Sequence, residues 1–170
     1  MAGGLAASSQ DKDYLHLTGV AMNLPVTTVS VNYAERNPDS VNVNLDLQTV
    51  AAAGIDSSTV VVVELGDNVP DSKELDFAGS YEKLLDAVAP RLKLVCTSTF
   101  WERPSVDIVI KHECESKGGL YTYIGNIYTD PNNPDRSDHK YSNPGVNRHP
   151  HDWGMAQISA RIITQLQAVQ

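Results

Sequence analysis

The stretch Thr59-Val60-Val61-Val62-Val63-Glu64-Leu65-Gly66-Asp67-Asn68 decides the fold class. Four consecutive valines put apolar side chains on both faces of a strand, a pattern typical of a sheet that helices cover on each side. Gly66 and the two polar residues after it are typical of a turn that ends the strand. We therefore predict a buried strand over residues 59–65 that belongs to a parallel sheet.

Strands and helices alternate along the chain on both sides of this stretch. Further strands are predicted over residues 26–33, 92–97 and 120–124, and helices over 9–22, 47–53, 72–88, 104–117 and from 152 to the chain end. Such alternation predicts a parallel sheet with helices on both faces, which is the flavodoxin-like three-layer α/β/α class. A chain of 170 residues is expected to form this as a single domain, residues 1–170.

Composition excludes several classes of partner. A net charge of -8 argues against surfaces for nucleic acid or anionic membranes, which need clustered Lys and Arg. No apolar run reaches the roughly 20 residues of a membrane span, and residues 1–9 lack the regions of a secretory signal. We therefore expect a cytoplasmic chain, although a removed precursor segment would allow secretion. Cys96 and Cys114 lack CxxC spacing, so free thiols are expected.

Three segments are expected at one edge of the sheet, beyond the carboxyl ends of its strands, where such folds bind ligands. They are Gly66-Asp67-Asn68, Phe100-Trp101 and the polar loop that ends at His149. The Asn68 amide has the chemistry to donate a hydrogen bond to a developing oxyanion, or else it caps the following helix. His149 precedes the last predicted helix, and an imidazole exchanges protons near neutral pH, so it is a candidate general base.

A zinc site is the alternative interpretation of the same region. His149, His151 and Asp152 are residue types that bind Zn²⁺, and His139 or His112-Glu113 would add ligands. Asp152 is equally a candidate N-cap of the last helix.

These segments resemble the SGNH, or GDSL-type, esterase and lipase hydrolases. Residues 61–68 resemble the family block that ends in Gly-x-Asn, and His149-Pro150 followed by Gly154-Met155 resembles its last block. Residues 97–101, and residues 4–8 through Asp13-Tyr14, resemble connecting segments of one bacterial branch. The resemblance implies that Asn68 and Gly66 stabilise an oxyanion, that His149 is the base, and that no cofactor is needed. Asp67, Phe100 and Trp101 are then expected to contact the substrate.

The chain departs from the family pattern at three places. Val69 stands where many members have Asp, and Val146 stands where an Asp often orients the catalytic His. Asp135 and Asp138 are off that spacing, so a Ser-His dyad or a backbone carbonyl would have to orient His149. The block Gly-Asp-Ser or Gly-Asn-Ser, whose Ser is the nucleophile, is not found. The substitute would be Ser8, Ser9, a serine from another subunit, or a water molecule activated by His149.

The chain therefore resembles a family member without its first strand. That strand is central in the order 2-1-3-4-5, and its loss leaves backbone groups unpaired at about 1–3 kcal/mol for each buried group. We expect residues 26–33 to pair directly with 59–65, or a second copy to fill the gap. A homodimer or higher oligomer is predicted.

Three functions remain open. The first is hydrolysis of a small-molecule ester or sugar ester, with His149 as base and Asn68 as oxyanion donor. The second is zinc-assisted hydrolysis of phosphoesters, in which the metal supplies an activated water. The third is a non-catalytic oligomer or a carbohydrate-binding module, with aromatic side chains at Trp101, Tyr121, Tyr123 and Trp153.

Overall fold

In the computed structural model of the chain, residues 6–134 and 141–168 are described. The chain divides into two compact units. The central unit is Val29–Tyr123, and the terminal unit combines Met1–Thr28 with Ile124–Gln170. The expectation of a single domain over residues 1–170 stays a prediction.

The described residues contain seven α-helices and three β-strands. In chain order they are α1 (Tyr14–Met22), α2 (Tyr33–Arg36), α3 (Val43–Ala51), β1 (Val60–Val63), α4 (Glu74–Ala87), β2 (Lys93–Thr97), α5 (Pro104–Ser116), β3 (Leu120–Thr122), α6 (Asn126–Thr129) and α7 (Asp152–Gln167). Within these residues no helix is long and apolar enough to cross a membrane.

The central unit is built on a parallel sheet with the strand order β1-β2-β3. Val61 of β1 is in register with Leu94 of β2, and Cys96 of β2 with Tyr121 of β3. Because successive crossovers are right-handed and the strand order is sequential, α4 and α5 lie on the same face of this sheet. The prediction of a parallel α/β fold is confirmed, and the elements are compatible with a three-layer α/β/α arrangement.

The core of the central unit lies between the sheet and its helices. One face of α4 and one face of α5 are buried there: Phe77, Tyr81, Leu84, Leu85, Val106 and Ile110. Cys96 of β2 and Cys114 of α5 meet in this core and form a disulfide with a Cα–Cα distance of 6.2 Å. The expectation of free thiols was therefore wrong. Packing of α5 on β2 brings the two cysteines together, which their spacing in the sequence does not reveal.

In the terminal unit, α1 packs against α7 through a buried hydrogen bond of 3.0 Å between Thr18 Oγ1 and Ser159 Oγ. The predicted last helix forms as α7, and its apolar residues Met155, Ile158, Ile162 and Leu166 are all buried. The first predicted helix is shorter than expected. Gln10–Lys12 forms a separate 3-10 turn, and α1 begins after Asp13, whose carboxylate accepts a hydrogen bond from His16 N at 2.9 Å.

The predicted strand over residues 26–33 is not formed. Residues 26–32 have no regular structure, and Tyr33 already begins α2. The Asp46 carboxylate accepts hydrogen bonds from Asn32 N and Ala34 N, so these groups are not available to a strand ladder. In the part of the chain that the structure describes, β1 pairs with β2 alone, and the predicted pairing with residues 26–33 was wrong. β-branched residues favour extended backbone, but a strand also needs a neighbour to pair with.

Candidate functional site

The turn after β1 depends on glycine at position 66. Gly66 has φ +126°, in the region that favours glycine. A Cβ atom there would lie 2.9 Å from side-chain atoms of both Val106 and Ile110. The turn therefore packs directly against α5, which fixes the direction of the following backbone N–H groups.

Three N–H groups of this turn converge on one carboxylate oxygen. Glu35 Oε1 accepts hydrogen bonds from Gly66 N at 3.3 Å, Asn68 N at 2.5 Å and Asn68 Nδ2 at 3.0 Å. Glu35 lies on α2 and is only 7% exposed. Convergent donors of this kind form a nest that stabilises a negatively charged oxygen. The N–H groups of Gly66 and Asn68 are thus occupied by the Glu35 carboxyl group of the same chain, and their role as oxyanion donors stays a prediction.

Two further carboxyl groups lie beside this nest. Burial, and then the charge of Asp67, raise the pKa of Glu64 well above its ordinary value. Burial also raises the pKa of Asp67, and the two side chains are hydrogen bonded to each other. A protonated Glu64 that donates to Asp67 accounts for the contact, because two charged carboxylates at this range would repel.

Asp67 also connects the nest to the segment after β2. Its Oδ1 accepts hydrogen bonds from Phe100 N at 2.8 Å and Trp101 N at 3.4 Å. Phe100 is 3% exposed, whereas Trp101 is half-buried and packs edge-on against the Phe100 ring. The sequence was right to place these segments together. The Phe100 side chain lies in the core, and the Asp67 carboxyl group binds two backbone N–H groups. Their expected contact with substrate stays a prediction.

Arg103 holds the outer side of the same turn. Its Nη1 donates to the carbonyl oxygens of Gly66, at 3.2 Å, and of Val69, while Nη2 donates to Asp71 at 3.1 Å. Because Arg103 binds the carbonyl groups, the N–H groups of the turn stay directed toward Glu35. Sequence reasoning missed both Arg103 and Glu35, since neither belongs to a recognisable motif.

His149 belongs to the terminal unit. Its Nδ1 lies 2.9 Å from the carbonyl oxygen of Gly145, a contact in which only the ring nitrogen can donate. This contact orients the ring through Nδ1 and leaves Nε2 as the nitrogen that would act as a general base. A backbone carbonyl group therefore orients the His149 ring, which is one of the two arrangements expected because position 146 is Val and not Asp.

His151 and Asp152 have other roles than the predicted zinc site. His151 is 1% exposed, serves as the N-cap residue of α7 and packs edge-on against Tyr141. Asp152, which had been a candidate N-cap, is instead the first residue of the helix and binds Ser8 and Lys12. Partial burial opposes its charge, but these hydrogen bonds outweigh burial and lower the pKa of Asp152 to about 2.

Within residues 6–134 and 141–168, no group of three His, Cys, Asp or Glu side chains is placed to hold a metal ion. The structure therefore does not bring His149, His151 and Asp152 together as zinc ligands. The exposed His112 pairs with the adjacent, half-buried Glu113 of α5 at 3.0 Å. His139, Asp135 and Asp138 lie outside the described residues.

Ser8, one of the predicted substitute nucleophiles, is held rather than activated. Its Oγ donates to Asp152 Oδ2 at 2.8 Å and accepts from Lys12 Nζ at 3.1 Å. A carboxylate with a pKa of about 2 is a weak base and does not remove the hydroxyl proton. Ser9 is exposed and hydrogen bonds to Asp11.

Comparison of the chain with protein-family models, with curated proteins and with solved structures gives no match. The resemblance to SGNH hydrolases thus stays a prediction from the sequence blocks, and the function is argued from the residues themselves.

Proposed function

We propose that this protein hydrolyses ester-like bonds, with Gly66 and Asn68 as oxyanion donors and His149 as general base. The observation that carries the proposal is the convergence of three N–H groups on Glu35 Oε1. A carboxylate oxygen carries negative charge, as does the carbonyl oxygen of an ester when a nucleophile attacks it. Donors that are already oriented toward such an oxygen lower the reaction barrier because they need no reorganisation.

A water molecule is the nucleophile in this proposal, because Ser8 is held by Asp152. His149 Nε2 removes a proton from water as its oxygen bonds to the ester carbon. The carbonyl electron pair moves onto oxygen, where the Gly66 and Asn68 N–H groups stabilise it. The intermediate then expels the alcohol, which takes the proton back from His149. The substrate is a small-molecule ester or sugar ester.

Glu35 competes with substrate for the same donors. An ester carbonyl gains the hydrogen bonds of Gly66 and Asn68 only when the Glu35 carboxylate moves away or is removed. The proposal therefore makes Glu35 an internal inhibitor, and its replacement is expected to increase the rate of hydrolysis.

Hydrolysis of p-nitrophenyl acetate tests the proposal. Asn68→Ala is expected to lower kcat/KM by about 10²-fold, and His149→Ala by about 10²- to 10⁴-fold. His112→Ala is the matched control, because that imidazole is 76% exposed and, among the described residues, pairs with its neighbour Glu113 alone. Unchanged activity in His149→Ala would contradict the proposal.

We also propose that two copies associate through the edge of β1. Thr59 O accepts a hydrogen bond from Leu92 N at 2.8 Å, so the backbone groups of Thr59 are directed toward β2. Because backbone N–H and C=O groups alternate in direction along a strand, those of Val60 and Val62 are directed away from β2. Among the described residues nothing pairs with that edge. An unpaired edge of four valines favours association with another strand. Light scattering is expected to give a dimer, and a monodisperse monomer at micromolar concentration would contradict it.

The disulfide between Cys96 and Cys114 favours an oxidising compartment, since structural disulfides are rare in the reducing cytosol. We therefore propose the secreted alternative over the cytoplasmic one. Fractionation of the native host tests this choice, and recovery of the reduced protein from the cytosol alone would contradict it.

A further inference from the structure

We infer that the central unit carries a carbohydrate-binding site in the groove between α5 and β3, able to take one pyranose ring. The groove has a volume of about 260 Å³. That is just below the roughly 300–1,000 Å³ of sites for drug-sized ligands, which suits a single small ring. Its walls combine two tyrosines, two carboxylates, an ammonium group and two aliphatic side chains: Tyr121, Tyr123, Glu102, Asp107, Lys111, Ile108 and Pro104.

The two tyrosines supply the surface on which a sugar ring would stack. They are two residues apart at the β3 end, so they project on the same side of the chain. Tyr123 is 39% exposed, and its hydroxyl donates to Glu102 Oε1 at 2.6 Å, which fixes the ring. Tyr121 is half-buried, its hydroxyl is hydrogen bonded to Ser98, and burial with the charge of Asp107 raises its pKa to about 12. The Tyr121 phenol therefore stays neutral, and both tyrosines line the groove with their rings.

Polar groups at the rim match the hydroxyls of a sugar. Glu102 is exposed and accepts a hydrogen bond from Tyr123, and a carboxylate has the capacity to accept further hydrogen bonds. Lys111 Nζ lies 5.9 Å from the centre of the Tyr121 ring, and the described residues give it no carboxylate partner within ion-pair distance. A pyranose has C–H groups on its faces and hydroxyls around its edge. Apolar walls with acceptors and a donor at the rim suit such a ring better than a fully apolar or an anionic ligand.

The backbone of Glu102 supports a binding role. Glu102 has φ +45°, in the left-handed region that non-glycine residues rarely adopt. Such conformations cost free energy and occur often at binding sites. Here the conformation places the carboxylate within reach of the Tyr123 hydroxyl at the mouth of the groove.

A titration of the full chain with methyl β-D-glucopyranoside, followed by amide NMR shifts, tests the site. Shifts are expected at Tyr121, Tyr123, Lys111 and Ile108, with a Kd on the order of 1 mM because one ring buries little surface. Glycerol is the matched ligand control, since it has hydroxyls and no ring face. No shift with the glucoside, equal shifts with glycerol, or shifts outside the groove would overturn the site.

Variants locate the site further. Tyr123→Ala is expected to weaken binding at least about 10-fold, and Tyr123→Phe and Glu102→Gln to weaken it less. Ile108→Ala removes an exposed apolar side chain of the groove, and Leu75→Ala removes one from a different helix as the control. Only Ile108→Ala is expected to weaken binding. Binding that survives Tyr123→Ala in a variant with an unchanged circular dichroism spectrum would overturn the site. The site does not depend on the hydrolase proposal, because p-nitrophenyl acetate turnover is expected to be unchanged in Tyr123→Ala.

Discussion

The Asn68 side-chain amide donates a hydrogen bond of 3.0 Å to Oε1 of Glu35, a carboxylate 33 residues earlier in the chain. Glu35 is 7% exposed whereas Asn68 is an exposed residue, so the bond is partly shielded from water. A charged acceptor in such surroundings forms a stronger hydrogen bond than a neutral one. The same contact stabilises the turn after β1 and occupies the donors that the proposed reaction needs.

Glu35→Ala is expected to destabilise the protein and activate it at once. Gly66 N, Asn68 N and Asn68 Nδ2 lose their shared acceptor, at a cost of about 1–3 kcal/mol. The three N–H donors are then available to an ester carbonyl. Because kcat/KM depends on the fraction of molecules whose donors are free, kcat/KM for p-nitrophenyl acetate is expected to rise about 10-fold. Denaturant unfolding and initial rates measure the two effects. A variant as stable as the parent would show that the three hydrogen bonds contribute nothing.

Glu35→Gln is the matched variant for the same position. Its amide oxygen still accepts from the turn, so most of the stability is expected to remain, while the negative charge is lost. If Glu35→Ala and Glu35→Gln lose equal stability, the charge rather than the hydrogen bonds holds the turn.

Glu64→Gln is expected to change how stability depends on pH. Burial raises the pKa of Glu64 in the folded protein, so the folded state binds its proton more tightly than the unfolded state. The contribution of Glu64 to the free energy of unfolding is therefore fully present below 4.5, its pKa in the unfolded chain. It is lost as the pH rises from there through the higher pKa of the folded protein. The variant is expected to lose less stability between pH 4.5 and neutrality than the parent. Urea unfolding at a series of pH values measures it, and parallel profiles would contradict it.

Glu115→Gln provides the control for that comparison. Glu115 is an exposed residue of α5, so its removal is expected to leave the pH profile of stability unchanged. A profile altered equally by both substitutions would point to net charge rather than to burial of Glu64.

Long apolar patterns were enough to predict most of the fold. The run of valines predicts a strand, and β1 forms there, but its four valines are half-buried, so the expectation of a buried strand was wrong. The spacing of Met155, Ile158 and Ile162 is typical of one buried helix face, and all three are buried in α7. Residues 26–33 have the same β-branched character and yet form no strand. Their local preference is for extended backbone, but strand formation depends on a neighbour that the local sequence does not specify.

The candidate site was predictable only in part, because half of it consists of tertiary contacts. Gly66 and Asn68 mark the donor turn by residue type and order. Glu35 supplies the acceptor from another helix, and Arg103 binds the carbonyl groups from beyond β2. Neither residue has a local pattern that differs from an ordinary surface charge, so only packing identifies them.

The disulfide between Cys96 and Cys114 is expected to stabilise the protein by about 3 kcal/mol, because it closes a loop of 18 residues in the unfolded chain. Cys114→Ala is therefore expected to lower Tm, and reductant is expected to lower the Tm of the parent but not of the variant. Thiol titration of the denatured protein without reductant is expected to detect no free thiol. Two titratable thiols in freshly purified protein would contradict the disulfide.

Substitution of two glycines by alanine separates backbone strain from a general effect of added side chains. At position 66 the φ of +126° and the 2.9 Å approach to Val106 and Ile110 both oppose a Cβ atom, so Gly66→Ala is expected to destabilise by more than about 1 kcal/mol. Gly79 lies in α4, and a Cβ there meets nothing within 4 Å. Gly79→Ala is therefore expected to stabilise by about 0.5–1 kcal/mol, since alanine favours helix more than glycine does. Because the strained turn also orients the Asn68 N–H groups, Gly66→Ala alone is expected to reduce p-nitrophenyl acetate hydrolysis. Thermal unfolding and initial rates of the two variants measure this contrast, and equal effects at both positions would show that the turn has no special geometry.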